Sequence, residues 1–283
     1  MSLVEQAIAR MRKQAPASVP AAPTPGVEPL RDPAPKPAKC MTLNMDALRV
    51  RGYLPEAGKD RQFADHYRRI KGPLIDKAVS GGEGIGEPRV IMITSALPGD
   101  GKTFTSINLA LSMALERDFS VLLVDCDVAK RQVSDVVGLR EESGLLDALV
   151  DDALDVESLI VQTDLRGLSI LPAGRRVEST AELLSSNRMQ QIVANLCKHN
   201  PRRIVLLDSP PLLITNEGRT LVKMAHQIVL VVRAGYTPRH AVQEALGLFD
   251  PDQAGGIILN QVQISRLEGY YGYESYGTAG DET

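Results

Sequence analysis

Residues 89–115 confine this chain to a small set of folds. Arg89-Val90-Ile91-Met92-Ile93-Thr94 is a continuous run of strand length, and Thr105–Leu115 has the apolar spacing of a helix. Between them stands Ala96-Leu97-Pro98-Gly99-Asp100-Gly101-Lys102-Thr103, which fits the pattern small-x-x-x-x-Gly-Lys-Ser/Thr. Strand, glycine loop and helix in that order make a cradle for phosphate. Gly99 and Gly101 let the backbone wrap an anion with no Cβ in the way. The loop N–H groups and the helix N-terminus supply positive potential. Lys102 adds a full charge where β- and γ-phosphates would lie, and the Thr103 hydroxyl can ligate Mg²⁺. Pro98, Gly99, Asp100, Gly101, Lys102, Thr103 and Phe104 are therefore the expected nucleotide contacts.

The rest of the chain to about Ile264 continues the alternation. Val121–Asp125, Leu168–Leu171, Ile204–Asp208, Ile228–Val232 and Ile257–Leu259 read as further strands. Phe104–Glu116, Ala181–His199, Asn216–Ala225 and Arg239–Phe249 read as helices. Continuous Val/Ile/Leu runs suit parallel strands covered on both faces. The expected fold is α/β, a doubly wound and mostly parallel sheet, with ligands at the carboxyl ends of the strands. That domain spans residues 41–264. A Pro- and Ala-rich linker, 15–40, precedes it and holds eight of the eighteen prolines. Such a density of proline favours extended, unpacked chain. Residues 1–14 have a short helical pattern, which either frays as a chain end or docks on a partner or membrane surface. Residues 265–283 are polar, Gly-rich and Tyr-rich, and read as a flexible tail.

Composition narrows the function classes. A net charge of −3 gives no reason to expect general nucleic-acid affinity. Cys40, Cys126 and Cys197 are widely spaced, without a Cys-x-x-Cys pair, which suits a reducing compartment. No apolar run approaches the ~20 residues that span a bilayer, and the N-terminus lacks the continuous apolar stretch of a secretory signal. The expectation is a cytoplasmic chain, able to sit at the inner membrane through a partner.

Two strands end in acid. Val121–Asp125 continues into Cys126-Asp127, and residues two apart in extended chain share a face, so both carboxylates can address one ligand. Ile204-Val205-Leu206-Leu207-Asp208 ends in another. A lone Asp at a strand end more often caps a turn; three of them behind a phosphate loop point to a metal and catalytic site. Mg²⁺ takes one or two carboxylates plus phosphate oxygens and water. Asp208 suits that shell, through water. Of Asp125 and Asp127, one would help hold the metal and one accept a proton. Asp125 is favoured as base, with Thr103, Asp127 and Asp208 on the metal side, although the sequence does not separate the two. Cys126 should face the core, and its acidic neighbours should raise its pKa. Asn260, ending the last strand, either reads the adenine edge or forms a turn; Arg233 is a comparable candidate for the nucleotide rim. Tyr270, Tyr271, Tyr273 and Tyr276 crowd into one glycine-spaced stretch whose only charge is Glu274. It is either a sticky tail or, behind an ATP site, a set of phosphate acceptors, each phosphate adding about −1.5 to −2 charges.

With these residues in view, the chain resembles the bacterial tyrosine autokinases, in particular the cytosolic subgroup of exopolysaccharide and exosortase loci. The resemblance covers about residues 41–283, and the Ser2–Lys13 start is similar too. It rests on Ala96–Thr103, on Asp125 and Asp127, on the strand ending at Asp208 and on the tyrosine cluster. Glu182-Leu183-Leu184-Ser185-Ser186 also matches a segment common in the family. The resemblance implies the fold of partitioning ATPases, with ATP and Mg²⁺ as cofactors. It implies phosphorylation of Tyr270, Tyr271, Tyr273 and Tyr276 in trans within a ring-like homo-oligomer, in the service of exopolysaccharide synthesis or export. It also implies a membrane-bound polysaccharide co-polymerase as activator, here a separate chain. The family's ring contact is a Glu-x-x-Arg-x-x-Arg helix. The matching stretch has Asp65, Arg68 and Lys71, which keep the charges but lose one bidentate guanidinium. The acidic motif is followed by Ala129-Lys130-Arg131-Gln132, where the family usually has a proline. Two rivals remain at this stage. A positioning or partitioning ATPase of the same fold would carry a lysine where this chain has Leu97. A non-catalytic module would bind ATP only to hold an assembly.

Overall fold

The computed structural model describes residues 39–80, 89–200 and 202–262. The leading helical pattern, most of the linker and the tyrosine tail lie outside them. In chain order the strands are β1 (Lys39–Met41), β2 (Val90–Ser95), β3 (Ser120–Asp125), β4 (Val161–Thr163), β5 (Leu168–Leu171), β6 (Arg203–Asp208), β7 (Gln227–Arg233) and β8 (Ala254–Asn260). They form one sheet ordered β1-β4-β5-β3-β6-β2-β7-β8, parallel throughout except for the β4–β5 pair. The doubly wound, mostly parallel α/β sheet expected from the sequence is the fold.

The side-chain period of two explains why its central strands are apolar without interruption. Val90 and Met92 of β2 enter one core, while Ile91 and Ile93 enter the other. Leu122 and Val124 of β3 face the first, Val121 and Leu123 the second; Val205 and Leu207 of β6 divide from Ile204 and Leu206 in the same way. Helices α5 (Leu145–Val150), α6 (Thr180–Leu184), α7 (Asn187–Lys198), α8 (Asn216–Val222) and α9 (Arg239–Leu246) contribute to the first core. The second is closed by α1 (Met45–Val50), α2 (Asp60–Ser80), α3 (Lys102–Met113) and α4 (Gln132–Val137). α3 is buried along most of its length, because α2 lies over it: Phe63 meets Phe104 edge-on at 5.5 Å.

The sheet differs from the sequence reading at three places. The helix expected over Ala181–His199 is two helices, broken at Ser185-Ser186. The Ser186 hydroxyl accepts the Met189 N–H at 3.2 Å and caps the second. β8 begins at Ala254, three residues before the apolar run. β1 and β4 were not expected: each is three residues long, and Lys39, Cys40 and Gln162 are exposed, so neither has an apolar signature. β1 also starts at Lys39, ahead of the boundary expected at Met41. Among the described residues no helix is long and apolar enough to cross a membrane.

Candidate active site

Register brings the candidates together. β2 and β3 both flank β6, with Ile93 and Asp125 opposite Asp208. The carboxyl ends of the strands carrying the glycine loop and the acids therefore lie side by side. The loop leaves β2 at Ser95 and enters α3 at Lys102. Gly99 and Gly101 take φ of 88° and 96°, the left-handed region open to glycine. At Gly101 a side chain would also displace a neighbour: a Cβ there would lie 2.0 Å from Asn260 Nδ2. Buried Asp100 braces the loop from within, accepting from Thr237 Oγ1 at 2.6 Å and Leu97 N at 3.3 Å.

Lys102, Thr103, Asp125, Asp127 and Asp208 are all buried. Lys102 Nζ donates to Asp127 Oδ2 at 2.6 Å. Burial pulls the Lys102 pKa down, but the charges of Asp208, Asp127 and Asp125 outweigh it and the net shift is upward, so the ammonium is retained. Asp208 accepts from Ser106 Oγ at 2.8 Å and from Thr103 Oγ1 at 2.9 Å. Its pKa is nonetheless raised, chiefly by complete burial. One oxygen of Asp125 accepts from Ser134 N at 2.8 Å and Ser134 Oγ at 2.7 Å; the other, Oδ1, is buried with no partner among the described residues. Burial first, then the Asp208 charge, push the Asp125 pKa up to about 7. Cys126 is core filler, as expected: burial and then the charge of Asp125 push its thiol well above the ordinary value.

The structure separates the two acids that sequence left equivalent. Asp127 holds the loop lysine; Asp125 is tied to α4 and keeps one oxygen free. It also gives Asn260 a bond that sequence did not suggest, since its amide donates to Asp100 O at 2.9 Å and steadies the loop. Arg233 stacks on the exposed Tyr236 ring, 4.5 Å from its centroid, at the rim. Asp65 and Arg68 pair with each other at 2.6 Å on the exposed face of α2. Lys71 does not join them: it is buried, donating to Ser112 O at 2.7 Å and pairing with Glu116, so it binds α2 to α3 within the chain. Four supporting residues escaped sequence reasoning. Ser106 follows Lys102 by one helical turn, a spacing that could have revealed it. Ser134, and the contact of Gln132 Nε2 with Tyr53 Oη at 2.6 Å, come from tertiary packing and leave no local signal.

The donor set fits a hard divalent cation. The Thr103 hydroxyl and the Asp208 carboxylate beside it are oxygen ligands in a buried site of excess negative charge, which leaves the orphaned Asp125 oxygen for another role. Among the described residues no three His, Cys, Asp or Glu side chains form a metal site on their own. Mg²⁺ held here would draw the rest of its shell from phosphate oxygens and water.

A glycine loop at the carboxyl end of a parallel sheet, with a buried lysine and strand-end acids, defines a nucleotide-binding P-loop domain. Residues 88–247 match the family described as AAA domain. The chain is 30% identical to the tyrosine-protein kinase Wzc of Salmonella typhimurium over 66% of its length, and spans about a quarter of that relative, 26%. It is 32% identical to the tyrosine-protein kinase YwqD of Bacillus subtilis, over 64% of this chain and 77% of YwqD. Identity to the succinoglycan biosynthesis transport protein ExoP of Rhizobium meliloti is 28%, over 75% of this chain and 26% of ExoP. The solved VpsO kinase domain superposes with a TM-score of 0.56 at 29% identity, covering 70% of this chain and 98% of that one. The chain belongs to the bacterial tyrosine-protein kinase family, within the P-loop ATPases.

Proposed function

We propose that this chain is an ATP- and Mg²⁺-dependent tyrosine kinase that phosphorylates Tyr270, Tyr271, Tyr273 and Tyr276 of a neighbouring copy. The observation that carries the reading is Asp125, a buried carboxylate with one oxygen lacking a partner among the described residues and a pKa near neutrality, two residues from the acid that holds the loop lysine. A general base works best when its pKa lies near the operating pH. In the proposed step the tyrosine oxygen forms a bond to the γ-phosphorus, the bond to the β-phosphate oxygen breaks, and the phenolic proton passes to Asp125 Oδ1. Lys102 meets the charge on the β- and γ-phosphates, and Asp127 aims it. Thr103 and Asp208 would hold Mg²⁺, which when bound neutralises charge on the transferring phosphoryl group. Ser134 fixes the Asp125 carboxylate so that its unbonded oxygen is the one presented.

The same proposal places the kinase in a ring-like homo-oligomer through Asp65 and Arg68 on the exposed side of α2, with Lys71 holding that helix against α3. A membrane-bound polysaccharide co-polymerase, as a separate chain, would activate it on the cytoplasmic side of the inner membrane. Exopolysaccharide synthesis or export is the process it would regulate. The similarity to ExoP, a succinoglycan biosynthesis transport protein, supports that setting, and the similarity to the tyrosine-protein kinases Wzc and YwqD supports the activity.

A mixing experiment tests the transfer. Full-length Lys102→Met and a full-length chain with all four tail tyrosines changed to Phe should each stay unphosphorylated alone. Together with ATP and Mg²⁺, phosphate should appear on the tail of the Lys102→Met chain. Phosphate on wild type but never on that mixture would overturn the trans reading. ATP consumption with no phosphotyrosine at all would favour a positioning ATPase.

A further inference from the structure

Beside the acids, the carboxyl edge of β3 and β5 carries a basic cluster for which the reading so far has no use. Lys130 and Arg131 stand three and four residues after Asp127, and both donate their backbone N–H to Asp127 O, at 3.0 and 2.6 Å. Arg131 has φ of 51°, an uncommon conformation for a residue other than glycine. Its side chain is 9% exposed. Nη1 donates to Gly174 O at 3.2 Å and to Arg140 O at 3.4 Å, while Nε is buried without a partner among the described residues. From the loop after β5, Arg176 Nη2 reaches back to Ala129 O at 3.2 Å. Ser134, which holds Asp125, also accepts the Ala173 N–H at 3.0 Å, so the two loops and the candidate base form one unit.

Nearby cations are already neutralised: Arg140 pairs with Asp135 at 3.2 Å, and Arg175 with Asp147 at 3.9 Å. Lys130, Arg131 and Arg176 have no carboxylate at ion-pair distance among the described residues. A buried guanidinium nitrogen without an acceptor is costly. Lys130 and Arg176 are exposed beside a buried Arg131 that keeps one nitrogen without an acceptor, so among the described residues this rim carries three positive charges and no carboxylate to balance them.

We propose that Lys130, Arg131 and Arg176 seat phosphotyrosine of the acceptor segment, the partly phosphorylated tail of a second copy. The inference rests on the kinase reading for its ligand and on the described side chains for its site. Residues 270–277 carry one charge, Glu274, before phosphorylation. Each phosphate adds about −1.5 to −2 charges and three strong acceptor oxygens, which suit guanidinium donors. A phosphotyrosine held there would keep a neighbouring tyrosine close to Asp125, so that each transfer favours the next.

The test measures fluorescence anisotropy of labelled peptides with the sequence of residues 268–278, unmodified or phosphorylated at Tyr271 and Tyr273. The protein is the full chain with its four tail tyrosines changed to Phe, without ATP, so no turnover is needed. The phosphopeptide should bind about tenfold tighter than the unmodified one, more weakly as salt rises. Lys130→Gln with Arg176→Gln, at two exposed positions, should abolish that preference while leaving the melting temperature unchanged. Equal binding of the phosphopeptide by the variant and its parent would overturn the site. Equal binding of a scrambled phosphopeptide would overturn the assignment to the tail. If the preference holds but wild type transfers no phosphate to tyrosine, the kinase reading fails and the anion site stands.

Discussion

Gly101→Ala tests how the loop is built. Two costs can be worked from the structure. First, Gly101 has φ of 96° and ψ of 23°, and an L side chain in that region costs roughly 1–2 kcal/mol. Second, the new Cβ would stand 2.0 Å from Asn260 Nδ2 and 3.3 Å from its Cγ. That amide is the end of a movable side chain, so it swings away rather than clashing. What is lost is its bond to Asp100 O, worth about 1 kcal/mol net. The total is about 2–3 kcal/mol, a fall in Tm of roughly 5–10 °C for a domain this size. Asn260→Ala alone forfeits only the hydrogen bond, about 1 kcal/mol. In the double variant that bond is counted once, so the two effects should fall short of additivity by about 1 kcal/mol. Urea titration of the four nucleotide-free proteins measures all the terms. Full additivity, or Gly101→Ala within about 0.5 kcal/mol of wild type, would refute the account of how Asn260 braces the loop.

Further outcomes follow from the buried charges. Lys102→Met should cost about 3 kcal/mol in urea titrations by leaving Asp127 buried without its partner, and Lys102→Met with Asp127→Asn should recover most of it. Asp125 has a folded pKa of about 7 against an ordinary 3.8, so the native state binds the extra proton. The associated stability is full below the ordinary value and lost as pH rises through about 7. In chelator, wild type should therefore lose roughly 3 kcal/mol relative to Asp125→Asn between about pH 5 and about pH 8; parallel pH profiles would contradict the burial of that acid. In the folded chain, iodoacetamide should label exposed Cys40 and spare buried Cys126, as read by peptide mass mapping.

The site was legible where chemistry coincides with the end of an apolar run. Lys102, Asp125, Asp127 and Asp208 stand at strand or helix ends, and a parallel sheet has to gather such ends along one edge. What was illegible depends on partners remote in sequence. Which acid meets Lys102 is decided by the path of the chain beyond β3, and Ser134 claims the other from α4. Asn260 offers a donor and an acceptor to anything in reach; only the fold shows that Asp100 O takes the donor. Lys71 reads as one more charge on a helix face, yet its long stem carries the ammonium to Ser112 O and Glu116. The break at Ser185-Ser186 is hidden because apolar spacing continues across it, while β1 and β4, at one margin of the sheet, are three residues long with exposed polar residues. The same edge that gathers the acids also gathers Lys130, Arg131 and Arg176 from two loops.

The central claim is that the tail tyrosines are the substrate of this site. Intact mass after incubation of the full chain with ATP and Mg²⁺ tests it most directly, with Lys102→Met and the four-Phe tail variant alongside, and with the cytosolic segment of the proposed co-polymerase partner added. Stepwise phosphate additions on wild type that vanish in both variants are the predicted result. ATP turnover with unchanged mass, or phosphate that persists when all four tail tyrosines are gone, would contradict it.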